Sequence, residues 1–221
     1  MTLRLIIFDV DGTLVDSQGD ILGAMQAAFA AQGLPAPPRA DVLGIVGLSL
    51  PQAMARLAPQ ADGPRLVEDY KAAYADLRAR SGSAESSPLY PGARDCLAAL
   101  HAVPDILLGV ATGKSLRGLN LLLDAHDLRR FFVTLQHADA HPSKPHPAMI
   151  HAALAEAGME PADAVMVGDS SFDMEMAQAA GVAGIGVAWG YQPAERLYQA
   201  EWIAPDFPAL TQRLLTRWPV G

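Results

Sequence analysis

Near its start the chain reads Phe8-Asp9-Val10-Asp11-Gly12-Thr13, two carboxylates one residue apart at the end of the apolar run Leu5-Ile6-Ile7-Phe8. Like charges placed that close need a cation, a proton or a solvated turn. Three more polar, turn-forming stretches lie far along the sequence: Ala111-Thr112-Gly113-Lys114, Ser143-Lys144-Pro145 and Gly168-Asp169-Ser170-Ser171-Phe172-Asp173. Together they supply several carboxylates, an ammonium group, and hydroxyls beside glycine-rich backbone. Hard oxygen donors with open positions suit Mg²⁺. Asp9 and Asp169 would hold such an ion and leave room for water and one substrate oxygen. Thr112, the Gly113 N–H and Lys144 would then hold the other oxygens of a phosphoryl group. One carboxylate would attack phosphorus in line while a second moves the proton.

Each piece alone has a plainer reading. Asp-Gly after a strand is a common turn. Asp169 and Asp173 fit a helix N-cap followed by a first-turn acid, a role compatible with metal binding. Lys144 before Pro145 fits an exposed loop, and Lys114 fits either a substrate contact or a surface lysine at a helix start. The order of the four pieces, spread over separate strand ends, favours chemistry. His137, His141 and His146 match no zinc spacing and read as solvated histidines. The glycines from Gly181 to Gly186 have a dinucleotide-type spacing, but they lie inside a strand pattern, so the match is accidental.

The elements that must position these residues follow from hydrophobic periodicity. Leu3–Val10, Ile106–Ala111, Ala164–Val167 and Ala183–Ala188 are short apolar runs that suit strands buried on both faces, and Phe131–Leu135 is a weaker one. Helical patterns separate them: Ala93, Cys96, Leu97 and Leu100 share one face. So do Met149, Ile150, Ala153, Leu154 and Ala157, before a stop at Gly158. Alternating strand and helix predicts an α/β fold with a parallel sheet, right-handed crossovers and ligands beyond the carboxyl ends of the strands. From about Ser17 to Ser87 that rhythm stops and only helical patterns remain, one through Ile21, Met25 and Phe29, another through Leu66, Val67, Tyr70 and Tyr74. Residues 17–87 are therefore expected to be an α-helical module inserted into a core of residues 1–16 and 88–221. The stretch Ser81–Pro88 reads as a flexible linker.

These four pieces resemble the four motifs of the haloacid dehalogenase (HAD) superfamily of hydrolases, in that family's order and spacing. The helical insert resembles its C1-type cap, and "DVDGTLVDS" with "GDSSFDM" is most similar to the phosphoglycolate phosphatase-like branch of subfamily IA. The resemblance implies a Rossmann-like, three-layer parallel-sheet core and a Mg²⁺-dependent phosphatase. It implies that Asp9 is the nucleophile that becomes an aspartyl phosphate. Asp11 would serve as acid, then base, and lend its backbone carbonyl to the metal. Thr112 and Lys144 would bind the phosphoryl group, and Asp169 and Asp173 would serve the metal. Substrate contacts would come from Thr13, Gly113 and Lys114, and from Gly47 and Ser49 in a loop of the insert, Gly44–Leu50, that chooses the leaving group. The loop's glycines also fit a plain helix-to-helix turn. A β-phosphoglucomutase-like phosphoryl transfer remains an alternative, as does a non-catalytic phospho-accepting module. In receiver-like modules, however, the accepting aspartate sits mid-chain with no insert after the first strand. Halide displacement is disfavoured by the presence of Asp11. Phosphonate cleavage would need an insert lysine, and Lys71 is the only one.

Composition sets the outer bounds. A formal net charge of −8 and a pI near 5.1 over 221 residues disfavour nucleic acid and anionic membrane surfaces as partners. A small phosphorylated metabolite remains open to a local cationic pocket. The 51% hydrophobic content and mean hydropathy of +0.16 suit a folded core. Cys96 is the only cysteine and reads as a small buried hydrophobe. No stretch is long enough to span a membrane and none reads as a signal peptide, so a cytoplasmic monomer or homodimer is expected.

Overall fold

A computed structural model describes residues 3–81 and 83–218. Its centre is a six-stranded parallel sheet: β1 (Arg4–Phe8), β2 (Ile106–Thr112), β3 (Phe132–His137), β4 (Ala164–Gly168), β5 (Ala183–Val187) and β6 (Trp202–Ala204), in the order β3-β2-β1-β4-β5-β6. The chain order reverses beside β1, so the ends of β1, β2 and β4 line one crevice, where α/β sheets bind ligands. The last strand was not expected. It is three residues long at the sheet edge, too short to show a period.

Helices cover both faces of the sheet. They are α6 (Ala93–His101), α7 (Leu116–Ala125), α8 (Ala148–Ala157), α9 (Ser171–Ala179) and α10 (Phe207–Thr216). Successive side chains of β1 take opposite sides, so Ile6 and Phe8 join a core with Leu97, Leu100, Leu122 and Leu210. Leu5 and Ile7 face Met149, Ile150, Met166 and Met176. Cys96 lies within the first of these cores, and burial raises its thiol pKa to about 11. Helix α8 ends where expected, at Gly158 in the left-handed region. Among the described residues no helix is long and apolar enough to cross a membrane.

Between β1 and α6 lie α1 (Gln18–Ala31), α2 (Arg39–Gly44), α3 (Leu50–Leu57), α4 (Gly63–Ser81) and α5 (Ser83–Ser86), with no strand among the described residues. Ile21, Met25, Phe29, Val42, Met54, Leu66 and Val67 form their own cluster. The stretch expected as a flexible linker differs. Residue Gly82 lies outside the described residues, but Ser83–Ser86 is helical and packs against α7. Ser87 is buried, and its carbonyl oxygen lies 2.8 Å from Nε2 of His126. These contacts order a composition that would otherwise read as linker. The two chain crossings run side by side instead, at a Val15–Leu89 antiparallel bridge. The Asp16 N–H donates to the Pro88 carbonyl (2.9 Å) and the Tyr90 N–H to that of Leu14 (3.0 Å).

The fully buried Phe8 anchors the strand that delivers Asp9. Phe8→Ala should cost about 3–5 kcal/mol of stability and Ile7→Val only about 0.5–1.5 kcal/mol, because the first leaves a large cavity in a close-packed layer. Urea denaturation of the two variants measures the difference.

Candidate active site

Asp9 follows the last residue of β1, and its N–H bonds the Val167 carbonyl at 2.9 Å, which locks it to the end of β4. Lys144, fully buried, places Nζ 2.9 Å from Asp9 Oδ1 and 2.6 Å from Asp173 Oδ1. The approach to Asp9 is off a hydrogen-bond axis, so both Asp9 oxygens are buried without a hydrogen-bond partner. Burial raises the Asp9 pKa to about 7 against the lowering by Lys144, with Asp173 and Asp11 adding repulsion. Lys144 is held in the charged form: burial works against the ammonium, but Asp173 and Asp9 outweigh it.

Asp169 closes this group. Its Oδ2 accepts from the Tyr191 N–H (2.8 Å) and its Oδ1 from the Thr13 hydroxyl (3.3 Å). Side chains are excluded on two sides of it, since a Cβ at Gly12 would lie 2.3 Å from its Oδ2 and one at Gly190 2.1 Å from its Cβ. Burial, then Asp173 and Asp9, push its pKa well up. Carboxylate oxygens of Asp9, Asp169 and Asp173 lie within 4.8 Å of one another. Orphaned, desolvated oxygens on carboxylates held apart from their ordinary ionisation fit a hard divalent cation. Asp173 fits least as a ligand. Its second oxygen already accepts from the Ser170 N–H (3.1 Å) and hydroxyl (2.6 Å), completing a capping box on α9.

Asp11 faces the other way. Its two oxygens accept from Lys114 Nζ at 2.7 and 2.8 Å, and the Ser17 hydroxyl donates to Oδ1. Lys114 is thus no exposed surface lysine: it lies on the cavity wall with its ammonium on Asp11. Burial works against its charge, but Asp11 and Tyr74 raise its pKa. Thr13, expected at the substrate, has its hydroxyl on Asp169, while its carbonyl accepts from the Trp189 indole (3.0 Å). Thr112 is buried at the end of β2, and its Oγ1 accepts from the Lys114 N–H (3.3 Å).

A cavity of about 780 Å³ opens over these residues, lined by Asp9, Asp11, Thr112, Gly113 and Lys114 below and by helical-insert residues above. Gly47 and Ser49 both line it. The Ser49 N–H donates to the Ser143 hydroxyl (2.8 Å), and Leu48 packs with Phe172 of α9. A Cβ at Gly113 would lie 2.4 Å from the Gly47 carbonyl oxygen, so glycine lets the insert loop rest on the core. The three histidines differ: His137 pairs in register with Thr112 and has a buried Nδ1 without a partner. His146 is exposed, whereas His141 is half-buried and bonds Gln136 Oε1 (2.6 Å), so it is not simply solvated. Sequence patterns gave no sign of Tyr191, which acts through its backbone N–H and through contacts remote in the chain. The signal for Arg78, also on the cavity wall, was a charge on the apolar stripe Val67-Tyr70-Tyr74.

The chain is similar to known proteins over nearly its whole length. The family model for haloacid dehalogenase-like hydrolases matches residues 6–187. A probable phosphatase, IndB, of Dickeya dadantii is 35% identical over 89% of this chain and 86% of its own. A phosphoglycolate phosphatase of Vibrio parahaemolyticus is 31% identical over 94% and 92%, respectively. Among solved structures, a haloacid dehalogenase-like hydrolase from Streptococcus pneumoniae superposes with a TM-score of 0.83 at 26% identity, covering 96% of this chain and 98% of that one.

Lys144→Met would leave buried carboxylates facing one another with no cation. In metal-free buffer it should cost about 3–5 kcal/mol of stability. Asp173→Asn, which keeps a polar group beside Lys144 and Ser170, should cost about 1–3 kcal/mol. Urea denaturation with a chelator present tests the ranking.

Proposed function

Because the chain belongs to the haloacid dehalogenase-like hydrolases, we propose that it is a Mg²⁺-dependent phosphatase. It would act on a small phosphorylated metabolite through an aspartyl phosphate on Asp9. One observation carries this reading: the Asp9 carboxylate is buried, unbonded and paired by charge with Lys144, at the floor of a cavity it shares with Thr112 and Gly113. Asp9 and Asp169 would hold the ion, with the Asp11 carbonyl as a third donor. When bound, Mg²⁺ supplies charge neutralisation between the nucleophile and the phosphoryl oxygens.

Asp9 attacks phosphorus in line while Lys144 neutralises both reacting groups. The Thr112 hydroxyl and the Gly113 N–H donate to the phosphoryl oxygens. Asp11 hands a proton to the leaving oxygen, then takes one from the water that frees Asp9. Asp173 serves by holding Lys144 rather than by binding metal, since both its oxygens are engaged. Thr13 serves by aiming Asp169.

Residues 17–87 act as a cap over a core of residues 1–16 and 88–221. Support comes from the paired crossings at Val15 and Leu89 and from the seating of Gly47 and Ser49 on Gly113 and Ser143. Closure keeps water out while the leaving group is bound. The relatives' names make phosphoglycolate the first candidate substrate.

Asp9→Asn should lower phosphatase turnover by about three decades or more without loss of fold by circular dichroism. A variant keeping a tenth of wild-type activity would sink the covalent route. Activity on 4-nitrophenyl phosphate should vanish with a chelator and return with Mg²⁺. Leu48→Ala should reorder preferences across a panel of phosphorylated metabolites, whereas one common scaling factor would remove the loop as selector.

A further inference from the structure

Helix α4 carries an apolar stripe of Val67, Tyr70 and Tyr74 toward the cavity, and the next position on that face is Arg78. Arg78 is only 7% exposed, and Nε, Nη1 and Nη2 are all buried without a hydrogen-bond partner. Among the described residues, no carboxylate lies within ion-pair reach of it. Asp20 of α1, a buried carboxylate with its own unbonded oxygen, makes no ion pair. The guanidinium carbon stands 5.6 Å from the Tyr74 ring centroid, and Lys114 Nζ stands 5.4 Å from the same ring. Arg78 is close enough to Lys114 to oppose its charge. Lys114 already spends its ammonium on Asp11, so a second cation stands beside that pair with no anion of its own.

An unpaired guanidinium beneath a protein surface is costly, and a fold keeps one where an oxyanion completes it. Its planar fork matches a carboxylate or a phosphate. Asp11, the group that would protonate the leaving oxygen, lies on the Lys114 side of Tyr74, so an anion on Arg78 would belong to the leaving group. We propose that Arg78 is a specificity-determining residue that receives an anionic group on the leaving alcohol. The substrates would then be phosphomonoesters that carry a second oxyanion, either a carboxylate or a further phosphate. Arg78 has this role only if the chain is a phosphatase as proposed above.

The test uses the full chain with Mg²⁺ and matched pairs. Phosphoglycolate against ethyl phosphate reads a carboxylate, and propane-1,3-diol bisphosphate against propyl phosphate reads a second phosphate. Wild type should favour the charged member of at least one pair by roughly ten-fold or more in kcat/KM, mainly through KM. The pair that responds identifies the oxyanion. Arg78→Met should erase that preference and leave the neutral esters within about two-fold. Its melting temperature should stay level or rise, because an unpaired buried charge is gone. Arg78→Lys, which keeps the charge but not the fork, should retain part of the preference, and it decides the matter if the Met variant does not fold. The proposal is overturned if wild type treats both pairs alike, if Arg78→Met keeps the preference, if it slows charged and neutral esters equally, or if it folds with a lowered melting temperature. If wild type hydrolyses none of these esters nor 4-nitrophenyl phosphate, it is the phosphatase reading that falls.

Discussion

The structure depends on one charge balance: the Lys144 ammonium, buried within 3 Å of both Asp9 and Asp173, with Asp169 beside them. Desolvated carboxylates repel, and one ammonium cannot satisfy all of them. The surrounding backbone therefore has to hold them in place. Adjacent parallel strands β1 and β4 end level with each other and fix Asp9 against Val167. A capping box pins Asp173, while Tyr191 and Thr13 pin Asp169. What remains unsatisfied is concentrated on Asp9, the one carboxylate whose two oxygens face no donor in line.

A second network ties the helical insert to this centre. Asp11 accepts from Ser17, just ahead of α1, and the Ser17 N–H donates to the Tyr191 hydroxyl at 2.7 Å. Tyr191 in turn holds Asp169 through its backbone N–H. A displacement at the root of the insert is thus felt by both the proton-transfer candidate and a metal-ligand candidate. The loop through Gly47 and Ser49 makes a separate contact on the opposite side, over Gly113 and Ser143. The insert is therefore held at its root and at its tip, with the cavity between.

Much of this was legible in the sequence because it is written in local patterns. The runs in β1, β2, β4 and β5 are long enough to show burial on both faces, and Gly158 marks the end of α8 through its own backbone preference. Asp9, Asp11, Thr112, Asp169 and Asp173 stand out because each sits by a strand end or helix start in a polar turn, and Lys144 because it precedes a proline in the loop between β3 and α8. The rest depends on contacts between distant residues. β6 has three residues, and Ser83–Ser86 is helical only because α7 and His126 lie against that stretch. The bond from the Thr13 hydroxyl to Asp169, 156 residues away, had no local signal. Lys114 likewise showed two readings until Asp11 and Tyr74 enclosed it.

The position of β1 also governs how the chain can assemble. It is the first strand made, yet it lies in the middle of the sheet, and its partners begin at Ile106 and Ala164. Pairings across such separations are slow to form, whereas the contact between α1 and α4 links nearer residues. The helices between β1 and α6 are thus expected to condense early, with Val15 and Leu89 side by side at their base. That junction shortens the loop β2 must close to reach β1. Pulse-labelled hydrogen exchange should accordingly find α1 amides protected before those of β1. Asp9 and Asp169 stand at the ends of paired strands β1 and β4, so the carboxylate cluster cannot exist before β4 docks beside β1, and a partly synthesised chain carries Asp9 without it.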